Sequence, residues 1–494
     1  MKPRSEFGRI AGCLLMAAAL FIMAAGPVCA EAEMYKGFRK AKYVFLFIGD
    51  GMGMPQRSAA EVYLSDEANG GSQKLLAMNQ FPAQGVTTTH AANRFITGSA
   101  ASATAMACGI KTNINFIGVD PELNPVPTIA EVAKEKGMSV GIVSSVSIDH
   151  ATPAAFYAHQ PTRKMYHEID VDLADSGFDY FGGGGLVDPT GKKSKAPQGD
   201  ALEIAKRRGY TIITDKTEFM NYDGGKLIAY NNRLPDGQAL PYAIDNSALD
   251  ISLEEFTQKG IDILSKNKKG FFLMVEGGKI DWACHANDAV SAIQDTLAFD
   301  NSVKAALDFY KEHPKNTLII VTGDHECGGM TLGFAGTVYS TQFDVLSKQR
   351  LSFQAFTDHI VDKYKKEHAK DGGDFNDIVP MLSYYFGLET QGEGPMVLKD
   401  FELAELNKAF RQTMKGDKIK AGTQEYLLYG SYDPLTMKIT HILNQKAGIG
   451  WTSYSHTGVP ITTSAMGVGC EIFNGFYDNT DIPKKIASIM GVEL

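Results

Sequence analysis

Four continuous apolar runs, each followed closely by residues that bind metals, constrain the fold more than any other feature of this sequence. The runs cover 43–48, 138–143, 270–275 and 317–322. Unbroken apolar runs of this length are typical of strands that are buried on both faces of a sheet. Helical patterns such as 128–137 and 288–313 separate them. The alternation predicts an α/β fold with three layers, in which helices flank a mostly parallel central sheet.

Acidic, imidazole and hydroxyl side chains follow these runs. They are Asp50 after the first, His150 and Thr152 after the second, Glu276, Asp281 and His285 after the third, and Asp324 and His325 after the fourth. One aspartate after one strand is usually a turn residue or a helix cap. Four strands that bring such residues to the same edge instead indicate a site, because ligands bind beyond the carboxyl ends of parallel strands. Carboxylates with imidazoles suit zinc, and carboxylates with a threonine hydroxyl suit magnesium.

Most residues at 97–105 are small, which is typical of a helix that begins in close contact with neighbouring structure. Ser99 lies where that helix would begin. The free N–H groups and partial positive charge of a helix N-terminus attract anions. Ser99 could therefore face a phosphate, or it could be an ordinary N-cap. The stretch by itself favours the cap, and only the metal-type residues elsewhere in the chain favour the phosphate.

Six short segments, taken in order, resemble the alkaline phosphatases. They are 49–53, 99–105, 151–155, 275–281, 323–326 and 455–458, and the resemblance spans about 41–330 and 450–494. It implies an enzyme that hydrolyses phosphate monoesters through a phosphoserine, with two zinc ions and one magnesium-type site. The alternatives are a phosphodiesterase of the same superfamily and an inactive homologue that binds metal or phosphate.

The resemblance also implies which residues act on the substrate and which hold the first metal. Ser99 would be the nucleophile, and Arg163 would clamp the phosphate by paired hydrogen bonds. The first zinc would be held by one carboxylate and two imidazoles, those of Asp281, His285 and His456.

The second zinc and the third, magnesium-type site would share a carboxylate. The implied ligands are Asp324 and His325 for the second zinc, Thr152 and Glu276 for the third site, and Asp50 for both. His150 stands where some members carry Asp and others His. It would be either a ligand that favours zinc over magnesium or an imidazole that supports the ligands.

Two further residues bear on phosphate binding. The family usually has Asp immediately before the nucleophile, where this chain has Gly98. That Asp helps to hold the clamping arginine, so we expect Arg163 to be less tightly oriented here. Trp282 follows Asp281 at a position where members differ between Lys, His and Trp. Because Trp282 carries no positive charge, phosphate and product should bind less tightly.

The charge and the N-terminus bear on partners and location. The chain carries a net charge of −9, which gives no support for nucleic-acid binding. Residues 1–30 are predicted to be a signal peptide, because basic residues precede an apolar core at 10–26 and small residues end at Ala30. A lipoprotein box at 10–13 is disfavoured, since it precedes the apolar core. We expect an exported protein, periplasmic or secreted, with no stable membrane anchor.

Residues 31–494 are expected to form one catalytic domain that contains a mostly helical insertion at 337–450. Amphipathic patterns at 353–368 and 401–414 predict helices in the insertion, which would cover or flank the site. Residues 194–255 are predicted to form loops and short strands.

The sequence does not determine how the cysteines pair or which oligomeric state the protein adopts. Four cysteines follow residue 30, namely Cys108, Cys284, Cys327 and Cys470. Cys284 and Cys327 could form a disulfide or remain two buried thiols, with a weak preference for the thiols. Family members are commonly dimers, so the resemblance implies a homodimer that acts on small phosphomonoesters.

Overall fold

The computed structural model describes residues 40–67 and 74–494. The predicted signal peptide at 1–30 and the disfavoured lipoprotein box at 10–13 lie outside the described residues. In the two described ranges, no helix combines the length and the apolar character that a membrane crossing requires.

A ten-stranded sheet forms the centre of the molecule. The strands in chain order are β1 (Tyr43–Gly49), β2 (Ala83–Thr88), β3 (Ser139–Ser144), β4 (Tyr180–Gly183), β5 (Thr211–Ile213), β6 (Leu227–Tyr230), β7 (Phe271–Glu276), β8 (Thr317–Gly323), β9 (Glu326–Cys327), β10 (Thr331–Leu332), β11 (Ile449–Gly450), β12 (His456–Thr457), β13 (Ile461–Gly467) and β14 (Gly475–Asp478). The large sheet has the order β14-β2-β13-β8-β1-β7-β3-β4-β6-β5, and β9 with β12 and β10 with β11 form two small antiparallel pairs. Neighbours in the large sheet run parallel except at β13, which is antiparallel to β2 and β8. The predicted α/β fold with a mostly parallel sheet is confirmed.

The central strands end at the same level. Ile48 in β1 pairs with Glu276 in β7 and with Thr322 in β8, and Ser144 at the end of β3 also pairs with Glu276. The residues that follow these four strands therefore emerge at one edge of the sheet.

Helices cover both faces of the sheet. They are α1 (Met54–Glu67), α2 (Ser99–Cys108), α3 (Ile129–Glu135), α4 (Ala151–Ala154), α5 (Tyr166–Asp175), α6 (Ala201–Arg207), α7 (Lys216–Asn221), α8 (Leu253–Leu264), α9 (Lys279–His285), α10 (Ala289–Glu312), α11 (Phe353–Phe356), α12 (Asp362–Glu367), α13 (Val379–Phe386), α14 (Asp400–Lys415), α15 (Gln424–Tyr429), α16 (Pro434–Ala447) and α17 (Asp481–Met490). A π-helical segment, Thr357–Val361, joins α11 to α12. Side chains of Thr128 and Asp288 cap α3 and α10, which explains why both helices begin where the pattern predicts.

Alternate residues of β1 face two separate cores. Phe45 and Phe47 pack in the core that also contains residues of α8 and α10. Val44 and Leu46 pack in the core that contains residues of α2, α3, α5 and α17. Because both faces are covered, β1 is apolar throughout.

The segment 337–450 is mostly helical and contains α11 to α16. Its apolar side chains, among them Phe356, Leu382 and Leu443, belong to the same core as Phe45 and Phe47. This segment therefore shares a core with the sheet. Its role as a cover for the site stays a prediction.

The prediction for 194–255 was wrong in part. The short strands β5 and β6 exist and extend the main sheet, but the segment also contains α6 and α7. Asp200 accepts from the Leu202 N–H and Asp215 accepts from the Glu218 N–H, so each helix begins at an aspartate cap. These short helices have too few turns for a clear apolar period, and the caps were their strongest signal.

Candidate active site

A tight turn after β1 brings Asp50 to the centre of the strand edge. Gly51 has a φ of +71°, in the left-handed region that favours glycine. A Cβ built on Gly51 would lie 2.8 Å from Cα of Asp281, so a side chain there would collide with α9. The Gly51 N–H donates to Oδ1 of Asp324 at 3.0 Å, which joins the ends of β1 and β8.

One carboxylate, two imidazoles and a thiol form what we call the first ligand group. Their ligand atoms lie within 4.8 Å of one another, and the members are Asp281, His285, Cys327 and His456. Asp281 and His285 lie four residues apart on α9 and share one face of it. His456 lies on β12 and pairs with Cys327 on β9. The structure thus brings together the three residues implied for the first zinc.

The two imidazoles of this group point ring nitrogens at each other. Nδ1 of His285 lies 2.6 Å from the Tyr454 carbonyl oxygen, and Nδ1 of His456 lies 3.0 Å from that of Thr97. A carbonyl oxygen only accepts, so each Nδ1 carries a proton, and Nε2 is the ring nitrogen left to bind a proton or a metal ion. The two Nε2 atoms are 3.1 Å apart, a distance that requires a proton or a metal cation between them.

The charge balance around His285 also favours a cation. Burial by itself would lower the pKa of His285, but Asp281 and the Tyr454 carbonyl raise it to about 9. Nε2 of His285 is 3.3 Å from Oδ2 of Asp281, and Nε2 of His456 is 3.5 Å from Oδ1 of the same residue. This group therefore offers three inward-facing donors of the kind that zinc prefers.

Two carboxylates and one imidazole form the second ligand group, Asp50, Asp324 and His325, all fully buried. Nε2 of His325 lies 3.4 Å from Oδ1 of Asp50 and 3.1 Å from Oδ2 of Asp324. Burial and then the neighbouring carboxylates raise the pKa of Asp50 well above its usual range. Burial raises the pKa of Asp324 to about 7. Carboxylates crowded in this way favour a bound cation.

Asp50 also belongs to the third ligand group, which comprises Asp50, His150 and Glu276. Ser144 donates a hydrogen bond to Oε2 of Glu276 and so fixes this carboxylate. Among the described residues, neither the buried hydroxyl of Thr152 nor Oε1 of Glu276 has a hydrogen-bond partner. The residues implied for the third site thus lie at the same edge and share Asp50 with the second group.

Ser99 is the first residue of α2, and its hydroxyl belongs to the site. Gly98 occupies the N-cap position, so the alternative that Ser99 is an ordinary cap is wrong. Oγ of Ser99 lies 3.4 Å from Nε2 of His325. Ser102 on the same helix donates to the Asp324 carbonyl at 2.7 Å and holds α2 against the end of β8. The small side chains of α2 are all buried, which allows this close approach.

Arg163 contacts an imidazole in this structure. Its Nη2 donates to Nε2 of His150 at 2.6 Å. His150 therefore presents a lone pair to Arg163, and its Nδ1 faces Oε1 of Glu276 at 3.9 Å. A Cβ built on Gly98 would meet only Cδ1 of Ile114, at 3.9 Å, so the space where the family usually has a carboxylate is open. Sequence reasoning missed this contact between Arg163 and His150.

Trp282 and the cysteines complete the surroundings. The indole of Trp282 lies 6.0 Å from the ring of His150, and Nζ of Lys279 lies 4.6 Å from the indole. The four cysteines of the described residues are free thiols, so Cys284 and Cys327 do not form a disulfide. The sequence offered Cys327 only as a disulfide partner or a buried thiol. The pairing of β9 with β12 brings it into the first group.

The donor atoms of all three groups fit metal ions. Several buried oxygen atoms at the site make no hydrogen bond among the residues described, namely both carboxylate oxygens of Asp50, Oδ1 of Asp281, Oδ2 of Asp324, Oε1 of Glu276 and Oγ1 of Thr152. Burying so many polar atoms without partners is costly unless cations satisfy them. Carboxylates and imidazoles with inward lone pairs are the donor set for zinc, and the oxygen-rich third group also suits magnesium.

Comparison with known proteins identifies the family. The model of the family described as alkaline phosphatase matches residues 41–492. The chain belongs to the alkaline phosphatase family. Alkaline phosphatase 4 of Bacillus subtilis is 32% identical over 507 residues, which cover 99% of each chain. The crystal structure of a cold-active alkaline phosphatase from Shewanella sp. matches with a TM-score of 0.75 and 29% identity, and covers 91% of this chain and 99% of that one.

The resemblance stated from six short segments is thereby confirmed. Alkaline phosphatases are phosphoric monoester hydrolases, so this chain is an enzyme of that class. The family is metal-dependent. One similar structure, a mutant alkaline phosphatase from TAB5, was solved with magnesium bound; its TM-score is 0.63 at 27% identity, and it covers 93% of this chain and 100% of that one.

Proposed function

We propose that this alkaline phosphatase acts through a phosphoserine on Ser99. The observation that carries the proposal is the position of the Ser99 hydroxyl, 3.4 Å from His325 of the second ligand group at the start of a buried helix. Two zinc ions, held by the first and second ligand groups, would supply Lewis-acid stabilisation of the serine oxygen and of the departing oxygen.

The arrangement of the two groups fits an in-line displacement. The rings of His325 and His456 stack with centroids 3.5 Å apart, so the first group lies directly beside the second. In such a displacement the attacking and departing oxygens lie on opposite sides of phosphorus. The Ser99 oxygen loses its proton and bonds to phosphorus from the side of His325, while the bond to the ester oxygen breaks on the side of His456 and that oxygen takes up a proton and leaves as the alcohol. Water then attacks phosphorus from the side of His456 and loses a proton, the bond to the Ser99 oxygen breaks, that oxygen takes up a proton, and inorganic phosphate is released.

Arg163 is the proposed phosphate clamp. One of its N–H groups is engaged by His150, and the guanidinium has further N–H groups that can donate to non-bridging oxygens. Without a carboxylate at residue 98, His150 is the side chain that restrains Arg163. Phosphate binding in this chain should therefore depend on His150 as well as on Arg163.

The third site is proposed to take one magnesium or zinc ion through Asp50, Thr152 and Glu276. Magnesium in the mutant TAB5 relative supports a divalent cation in the family fold. His150 would ligate the ion only by releasing Arg163 or by presenting its other ring nitrogen. Mass spectrometry of the purified active enzyme would measure whether it contains magnesium or a third zinc ion.

Export and assembly are also proposed on sequence and family grounds. Residues 1–30 would direct the enzyme to the periplasm or medium, and N-terminal sequencing of secreted protein would locate the cleavage. A homodimer is proposed from the family resemblance, and sedimentation would measure the oligomeric state.

The test of the nucleophile is Ser99→Ala. Removing the attacking oxygen should reduce turnover of a phosphate monoester by about a thousandfold or more. Zinc content, measured by mass spectrometry of the purified variant, should stay unchanged. Ser488→Ala is the control, because it removes a helical hydroxyl that donates to the Lys485 carbonyl within α17 and leaves the proposed nucleophile in place. Wild-type-like turnover by Ser99→Ala would refute the assignment of Ser99 as the nucleophile. A separate comparison of substrates tests the reaction class: if the wild-type enzyme hydrolyses phosphate diesters faster than monoesters, the protein is better described as a phosphodiesterase.

A further inference from the structure

Three exposed apolar side chains lie in the chain segments next to Ser99 and His456. They are Phe95, Ile96 and Val459, whose exposed fractions are 75%, 48% and 48%. Phe95 and Ile96 precede Ser99 in the chain, and Val459 follows His456. Exposed apolar side chains that cluster in this way are typical of surfaces that contact something.

Two contacts fix this cluster relative to His456. The Thr97 carbonyl, two residues after Phe95, accepts the hydrogen bond from Nδ1 of His456 at 3.0 Å. A Cβ built on Gly458 would lie 2.4 Å from Cε1 of Phe95, so the ring packs directly on the backbone two residues after His456. The segments 95–97 and 456–459 therefore form one apolar rim next to the first ligand group.

We propose that this rim binds the organic part of the phosphomonoester, so that the enzyme favours esters of aryl and other apolar alcohols. The proposal rests on the proposed function, because the departing oxygen leaves on the side of His456. Because the ring of Phe95 contacts the backbone at Gly458, two residues after His456, an alcohol that leaves on that side comes within reach of this ring. An aromatic ring on the substrate stacks or packs edge-on against Phe95, whereas a small polar alcohol makes no such contact. Phe95 is then a specificity-determining residue.

The test compares two substrates and removes intrinsic reactivity from the comparison. The ratio of kcat/KM for 2-naphthyl phosphate to kcat/KM for ethyl phosphate is measured in the wild-type enzyme and in Phe95→Ala. We expect the ratio to fall by about three- to tenfold in Phe95→Ala, as loss of one aromatic contact predicts. Gly458→Ala displaces the ring and should lower the ratio in the same direction with unchanged zinc content. Phe401→Ala is the matched control, since Phe401 is 60% exposed but lies on α14 of the insertion.

The outcomes separate the two proposals. A ratio unchanged in Phe95→Ala, while the wild-type enzyme hydrolyses both esters, overturns the rim proposal alone. Hydrolysis of neither ester by the wild-type enzyme overturns the proposed function. If Phe95→Ala changes the sedimentation coefficient and leaves the ratio unchanged, the rim is a contact between two copies of the chain, and the proposal fails.

Discussion

At the scale of single residues, the contact between Arg163 and His150 distinguishes this site. The guanidinium donates to Nε2 of His150 at 2.6 Å. At Gly98, where the family usually has aspartate, a Cβ would meet only Cδ1 of Ile114 within 4 Å among the described residues. A neutral imidazole restrains an arginine less strongly than a carboxylate does, because it offers one lone pair and no opposite charge, whereas a carboxylate can accept two parallel bonds from the guanidinium. The orientation of Arg163 towards a bound phosphate should therefore depend partly on His150 of the third ligand group.

Gly98→Asp should tighten phosphate binding. The backbone of Gly98 is extended, with a φ of −123°, and a side chain there finds free space, so aspartate can be accommodated. A carboxylate in reach of Arg163 adds a charged hydrogen bond and should lower the inhibition constant of phosphate by about tenfold. Gly98→Asn is the control, because asparagine caps α2 as well but carries no charge. An inhibition constant that is the same in all three proteins would count against this role of residue 98.

At the scale of elements, α16 links the insertion to the ligand groups through the partly buried imidazole of His441. Nε2 of His441 on α16 lies 3.3 Å from Oδ1 of Asn287, whose side chain also donates to the carbonyls of Cys284 and Ser453. Burial, with a smaller effect of Lys438, lowers the pKa of His441 to about 4. His441 therefore stays neutral in the folded enzyme at pH values where the unfolded chain binds a proton.

The pH dependence of stability follows from this shift. Above about pH 6.5 both states hold neutral His441, and its contribution to stability is fully present. As the pH falls from about 6.5 to about 4, the unfolded state binds more protons at His441 than the folded state does. The free energy of unfolding therefore decreases over this range. We expect the unfolding temperature of His441→Gln to fall less than that of the wild-type enzyme between pH 7 and pH 4.5, measured by calorimetry with metal content matched. His359→Gln is the control, because His359 is an exposed histidine of the same insertion. An equal fall in all three proteins would refute the assignment.

The elements that the sequence predicted are those with strong local signals. The four apolar runs became β1, β3, β7 and β8 within a residue at each end, because strands buried on both faces need no alternation. The long helix α10 was predicted from the helical pattern at 288–313, and the structure adds the Asp288 cap. The short helices α6 and α7 were missed, since two turns give a weak apolar pattern and only their aspartate caps mark them.

At the scale of the whole molecule, the sheet order could not be read from the sequence. β1 lies between β7 and β8, strands more than 200 residues away in the chain, and the antiparallel β13 joins β8 to β2. In this arrangement His456 lies next to Asp281, and Ser99 lies next to His325. The family resemblance implied that these residues meet, whereas local pattern implied only that each follows a strand or begins a helix. The contact of Arg163 with His150 depends on packing between loops and had no sequence signal.

The most direct test of the metal-assisted serine site is a crystal structure of the purified enzyme with anomalous data collected on both sides of the zinc absorption edge. We expect one zinc peak between the Nε2 atoms of His285 and His456. These atoms lie 3.1 Å apart in the structure and should move apart when they bind the ion. A second peak should lie among Asp50, Asp324 and His325, next to Oγ of Ser99. Absence of zinc from both positions in crystals of active enzyme would contradict the assignment of the ligand groups.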